Sequence, residues 1–154
     1  MTGHPLILHA DRHRIAAEIE SLPVQAGDIF FRLGNESSHG IPFSRLVAHV
    51  TKSRFSHASV AFLDSGEVRL LEVAANGTTD PRLVDWLDFC YSPEIAIYRL
   101  KSEFLTPKFK VAMPEAIRAF QREDPDYDFS FLANDTRFYC TEMVCWLYQQ
   151  VFGE

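Results

Sequence analysis

Three residues of this chain have the side chains that acyl-transfer chemistry needs: Cys140, His57 and Glu72. Cys140 stands where Asn134-Asp135-Thr136-Arg137-Phe138-Tyr139 gives way to a helical pattern, with apolar residues recurring at Met143, Val144, Leu147, Tyr148 and Val151. Thr141 and Glu142 fall in the expected first turn, where a hydroxyl and a carboxylate favour helix initiation. A cysteine there meets unpaired backbone N–H groups and the positive end of the helix dipole, and both favour a thiolate. A thiolate is a nucleophile, and the same N–H groups, that of Cys140 among them, can hold an oxyanion. Position alone does not separate this reading from the commoner one, since cysteine is among the most often buried residue types. Cys145, between Val144 and Trp146, reads as packing, and Cys90, in Asp88-Phe89-Cys90-Tyr91-Ser92-Pro93, reads as structural. Three cysteines cannot all pair, and no Cys-x-x-Cys occurs, so a disulfide framework, a zinc ribbon and a thioredoxin-like motif all lack support.

His57 and Glu72 supply a base and something to orient it. Phe55-Ser56-His57-Ala58-Ser59-Val60-Ala61-Phe62-Leu63 is small, apolar and β-branched, Asp64-Ser65-Gly66 signals a turn, and Glu67-Val68-Arg69-Leu70-Leu71-Glu72-Val73-Ala74 reads as the return strand of a hairpin. With Asp64-Ser65 at the turn, His57 stands opposite Glu72; a three-residue loop shifts the pairing by one and needs a bulge near Gly66 to restore it. Opposed residues on one face have Cβ atoms about 5 Å apart. Glu72 then holds one imidazole nitrogen while the other faces a thiol, the arrangement of nucleophile, base and orienter. A histidine at a strand start is more often an ordinary surface or core residue. A glutamate among Leu70, Leu71, Val73 and Ala74 is harder to explain without a partner, because a lone buried carboxylate is costly.

Further pieces of the chain carry a family resemblance. Ala26-Gly27-Asp28-Ile29-Phe30-Phe31-Arg32 is similar to an opening Gly-Asp strand, Phe55-Ser56-His57-Ala58-Ser59-Val60 to a Ser-His strand, and Leu71-Glu72-Val73 to a strand bearing the third polar residue. Tyr127-Asp128-Phe129 and Phe138-Tyr139-Cys140-Thr141-Glu142-Met143-Val144 are similar to a Tyr-Asp-Phe segment and a nucleophile helix. In this order the set resembles the circularly permuted branch of the NlpC-type papain-like cysteine hydrolases, the YiiX/YebB-like group related to the lecithin-retinol acyltransferase group. Thr141, where a serine is expected, is a small departure. The resemblance implies an α+β, permuted papain-like fold: a barrel-like antiparallel sheet against helices, with the nucleophile at the N-terminus of the last helix. It also implies a thiol-dependent amidase or peptidase, acting on peptide, isopeptide or lipid-amide substrates through a thioester, with Cys140, His57 and Glu72 as the catalytic set. Lipid or acyl transfer through the same thioester, and a non-catalytic binding module that keeps the fold, are the alternatives.

The elements needed to position these residues are legible in outline. A short amphipathic helix is predicted over 11–22, with Ile15, Ala16, Ile19 and Leu22 on one face, and the first strand over 26–32. A polar loop follows over 33–41, and a helix over 42–51 carries Phe43, Leu46, Val47 and Val50. After the hairpin come a loop over 76–80, a helical turn over 81–89 and a strand over 94–100. Thr106 and Pro107 are suited to open a helix that Pro114 should kink or restart. The chain reads as one domain over 1–154, with 1–25 as a helical N-terminal extension, in the α+β class.

Composition narrows the function. The 154 residues suit one core burying about 70% of the unfolded surface. Net charge is −6 without a Lys/Arg cluster, which argues against duplex nucleic acid as a partner. No run of apolar residues is long enough for a membrane span, and the N-terminus lacks the basic and apolar regions of a secretory leader, so a cytoplasmic location is expected for the chain as given. No cofactor is implied. His9 and His13 could share a helical face, but no third ligand is apparent, so no metal is expected. The acidic stretch Glu123-Asp124-Pro125-Asp126 lacks EF-hand spacing and reads as a solvated turn. Asn35-Glu36-Ser37, Asn76-Gly77-Thr78 and Asn134-Asp135-Thr136 fit a glycosylation pattern that matters only on secretion. Tyr127 and Tyr139 are candidates to line the site. Arg32 is a candidate to meet a substrate carboxylate, with an ordinary surface arginine as the blander reading.

Overall fold

The structure, a computed structural model, describes residues 9–37, 40–130 and 137–153. Helix α1 (His9–Glu20) turns Ala16 and Ile19 inward, and its Arg12 pairs with Asp88. Strand β1 (Ile29–Gly34) and helix α2 (Phe43–Thr51) precede the hairpin β2 (His57–Asp64) and β3 (Glu67–Ala74). A short strand β4 (Gly77–Thr79) occupies the segment expected to be a loop, pairing Thr79 with Glu72. Helix α3 (Leu83–Trp86) and a 3-10 turn (Leu87–Phe89) lead into β5 (Cys90–Tyr98). Helix α4 (Pro107–Glu123), the two-residue parallel strands β6 (Asp126–Tyr127) and β7 (Arg137–Phe138), and helix α5 (Cys140–Phe152) complete the order.

The five-stranded sheet is antiparallel in the order β4-β3-β2-β1-β5. Apolar layers cover both its faces. Val60, Leu71 and Val73 pack against Phe109, Met113, Ile117 and Phe120 of α4 and Met143 and Leu147 of α5. Phe30, Val68 and Leu70 pack on the other side against Ala16 and Ile19 of α1 and Leu83, Trp86 and Leu87. Coverage of both faces explains why the first five residues of β2 are all buried rather than alternating with exposed ones.

The hairpin register differs from the expected one by two residues. Asp64 pairs with Glu67, so the turn is Ser65-Gly66 alone; φ values of 53° and 86° there suit the primed turns that match strand twist. The ladder runs up to Val60–Leu71, and continued it would place Ser59, not His57, opposite Glu72. A shift of two leaves every side chain on its original face, so His57, Ser59 and Glu72 still share one. Glu72 is diagonal to His57, within reach of long side chains.

Two smaller features fix the frame. Buried Asp28 accepts two bonds from Arg99, at 2.7 and 2.6 Å, which ties the start of β1 to the segment after β5. Thr106 caps α4, its hydroxyl accepting the Phe109 N–H at 3.2 Å, with Pro107 in the first turn. The helix does not restart at Pro114: α4 is continuous over 17 residues, with buried Phe109, Met113, Ile117 and Phe120 on both sides of the proline. Among the described residues, no helix is long and apolar enough to cross a membrane.

Candidate active site

Cys140 is the first residue of α5 and is partly exposed. The Glu142 carboxylate accepts the Tyr139 N–H at 3.1 Å, half of a capping box that fixes where the helix begins. Met143 and Leu147, fully buried one and two turns on, anchor α5 to α4 and the sheet. At the head of β2, His57 places Nε2 2.8 Å from Glu72 Oε2, and the ring and the Cys140 thiol are close enough for each to shift the pKa of the other. With Nε2 on the carboxylate, Nδ1 is the nitrogen left for sulfur. The backbone amides of Ala58 and Thr141 lie near enough to Cys140 to lower its pKa. The Ala58 amide is available for a topological reason. Ala61 N–H bonds the Asp28 carbonyl in the β1–β2 ladder, so alternation turns the Ala58 amide away from β1, beyond the end of the β2–β3 ladder. Helix and strand thus approach each other at the sulfur, with a strand pairing other than the expected one.

Charge is arranged to favour a thiolate–imidazolium pair. Burial raises the Cys140 pKa, but the His57 hydrogen bond and charge and the two backbone amides outweigh it, and the net direction is downward. For His57, burial and the Arg32 charge push down, while the bonds to Cys140 and Glu72 push up and win, leaving the imidazole at about 9. Burial likewise opposes ionisation of Glu72, but His57, Arg32 and Ser59 hold it at about 2.

The surroundings of Glu72 are where the sequence was least informative. Besides His57, Oε2 accepts from Ser59 Oγ at 3.0 Å and Trp86 Nε1 at 3.0 Å, and Oε1 accepts from Thr79 Oγ1 at 3.4 Å. The Trp86 N–H is shared with Ser59 Oγ at 2.9 Å. Ser59 was findable in principle, since it lies two residues from His57 on the same strand face. Trp86 had only one signal, a buried indole N–H that needs an acceptor, and the sequence does not say which.

Arg32 corrects its expectation. Its side chain is 1% exposed, not at the surface, and it does not line the cleft that opens beside Cys140. The guanidinium bonds the Trp86 carbonyl at 3.1 Å and Glu36 Oε1 at 2.5 Å, lies 3.7 Å from Glu72 Oε2, and stacks over the Trp86 ring at 4.9 Å. Ser44 of α2 donates to the other Glu36 oxygen, and a Cβ at Gly34 would collide with that carboxylate. Tyr127 and Tyr139 do line the cleft, together with Phe31, Phe43, Val47, Phe55 and Phe129; its volume is about 380 Å³. Cys145, expected as packing, is exposed, whereas Cys90 is fully buried, its thiol pushed up to about 12 by burial. The side chain of His9, and the triplet 134–136, lie outside the described residues.

Residues 24–153 match the family described as permuted papain-like amidase enzyme, YaeF/YiiX, C92 family. The chain belongs to this family. No curated protein sequence matches the chain. Among solved structures, this permuted papain-like amidase is similar to the crystal structure of metalloprotein yiiX from Escherichia coli O157:H7, with TM-score 0.73 and 23% identity over 86% of this chain and 69% of that one. At that identity the likeness shows the fold: helices on an antiparallel sheet with permuted order. That relative is called a metalloprotein. Among the described residues here, no group of three or more His, Cys, Asp and Glu is arranged to hold a metal ion. Glu72 Oε2 already takes three donors, which leaves that oxygen poorly suited to a metal.

Proposed function

We propose that this permuted papain-like amidase is a thiol hydrolase in which Cys140 is the nucleophile, His57 the general acid and base, and Glu72 the group that orients His57. The observation that carries the reading is a partly exposed thiol at a helix start, electrostatically coupled to a histidine whose Nε2 is 2.8 Å from a buried carboxylate. The Cys140 thiolate attacks the carbonyl carbon of an amide, and the backbone amide at the helix start receives the oxyanion. The His57 imidazolium gives its proton to the leaving nitrogen as the C–N bond breaks, which leaves a thioester and a neutral imidazole. A water then loses a proton to His57 and attacks the thioester, and cleavage of the C–S bond releases the acid and restores the ion pair. Tyr127 and Tyr139 contact the substrate from the cleft wall. Peptide or isopeptide amides, including those of cell-wall type, are the first substrate class. The Phe31, Phe43, Val47, Phe55 and Phe129 lining favours a second, in which a lipid-derived acyl chain occupies the cleft and is hydrolysed or passed to an acceptor.

The test is the rate of Cys140 alkylation against pH, alongside turnover of peptide and fatty-acyl amides. Alkylation should begin well below the titration of a free thiol, and Cys140→Ala and His57→Ala should each abolish turnover with the fold intact. Alkylation no faster than that of a free thiol, or wild-type turnover by either variant, would return the chain to the binding-module class.

A further inference from the structure

Helix α2 is amphipathic, yet its apolar stripe is not turned to the core. The buried residue of this helix is Ser44, spent on Glu36. At about 100° per residue, Phe43, Leu46, Val47 and Val50 fall on one stripe. Phe43 and Val47 line the cleft beside Cys140, while Leu46 and Val50 continue the stripe into solvent, 48% and 70% exposed. Ile41, just before the helix, is 55% exposed, and Phe129 on the cleft wall is 61% exposed. The cleft therefore opens onto a rim of exposed apolar side chains.

The chain segment that carries this rim runs against the charge of the molecule, with Glu36 at the cleft and Glu94 on Arg54 as the acidic neighbours from other segments. The chain has 21 acidic residues against 15 Lys and Arg, but none of the acidic ones falls between Glu36 and Asp64. That interval holds Arg45, Lys52 and Arg54. Arg54 pairs with Glu94 and Arg45 lies 5.5 Å over the Tyr91 ring, while Lys52 ends the helix with its side chain exposed. Apolar tips bordered by cations, on an otherwise acidic protein, match one surface chemistry: a bilayer whose headgroups are anionic and whose interior accepts Leu and Val.

We propose that α2 and its flanks are a docking face for anionic phospholipid membranes, which sets the mouth of the Cys140 cleft against the bilayer. Docking does not depend on the roles proposed for Cys140, His57 and Glu72, and it is measured without turnover. The full chain is sedimented with vesicles of phosphatidylcholine alone and of phosphatidylcholine mixed with phosphatidylglycerol. Binding is expected to the mixed vesicles, to weaken with salt, and to be weaker or absent on phosphatidylcholine alone. Arg45→Ala and Lys52→Ala should each weaken it about fivefold. Leu46→Asp with Val50→Asp should weaken it roughly tenfold or more. Both positions are exposed and outside the cleft, so the circular dichroism spectrum and the Cys140 alkylation rate should be unchanged. Failure to sediment with either vesicle, or equal sedimentation of wild type and variants, overturns the proposal. So does a result in which the aspartates change only the self-association of the chain, which would make a second copy the occupant of the face.

Discussion

Glu72 is the residue on which the ionic arrangement turns, because one oxygen serves His57, Ser59 and Trp86 together. Glu72→Gln keeps the shape but removes the charge that holds the imidazolium. The His57 pKa should fall, the onset of Cys140 alkylation should move to higher pH, and turnover should drop by about 10². Titration of the His57 ring by NMR with parallel rate measurements checks this. On the proposed mechanism the imidazolium supplies the proton for the leaving group, and it is lost as pH rises through about 9. The acylation rate should therefore fall above that pH even though more thiolate is present. A rate that climbs steadily past pH 9 contradicts it. Trp86→Phe tests the cradle separately. It keeps the ring and deletes one donor to a buried carboxylate, with an expected loss of about 1–3 kcal/mol in denaturant unfolding.

At the scale of elements, position was legible wherever local chemistry decided it. The Thr106-Pro107 start of α4 and the beginning of α5 near Cys140 followed from capping and periodicity. Pairing was less legible. The two-residue Ser65-Gly66 turn moved the hairpin by two positions, and β4 formed from a three-residue Gly-Thr-Thr segment, too short to be read as a strand by pattern, because β3 offered it an edge. Arg32 was misread for a related reason: its partners Glu36 and Trp86 come from a loop and a short helix whose approach only the tertiary fold fixes. Gly27 shows how strict these joints are. Its φ is 95° and an added Cβ would lie 2.8 Å from the Phe109 ring, so Gly27→Ala combines backbone strain with a clash against α4. It should cost about 1–3 kcal/mol, read as a lowered urea midpoint with an unchanged slope.

For the whole molecule, the site makes stability depend on pH. Glu72 is held below its ordinary value of 4.5, at about 2, so its contribution is complete above 4.5 and fades as pH falls toward 2. His57 is held above its ordinary 6.5, at about 9, so its contribution is complete below 6.5 and fades as pH rises through 9. Cys140, held below its ordinary 9.0, acts in the opposite sense, its contribution growing as pH rises toward 9 and offsetting that of His57. The melting temperature should fall below pH 4.5 and change little between 6.5 and 9, and Cys140→Ala should uncover an alkaline decline above pH 6.5.

The sheet also acts as a partition. Cys140 belongs to the α4–α5 layer, whereas Glu72 is braced by Trp86 from the layer of α1 and α3 on the opposite side. The two sides meet past the last rung joining β2 to β3, so on the proposed mechanism the sulfur is activated only when both layers are in place. Low-pH thiol reactivity should then report complete assembly, and alkylation followed through denaturant should lose it as soon as either layer lifts from the partition.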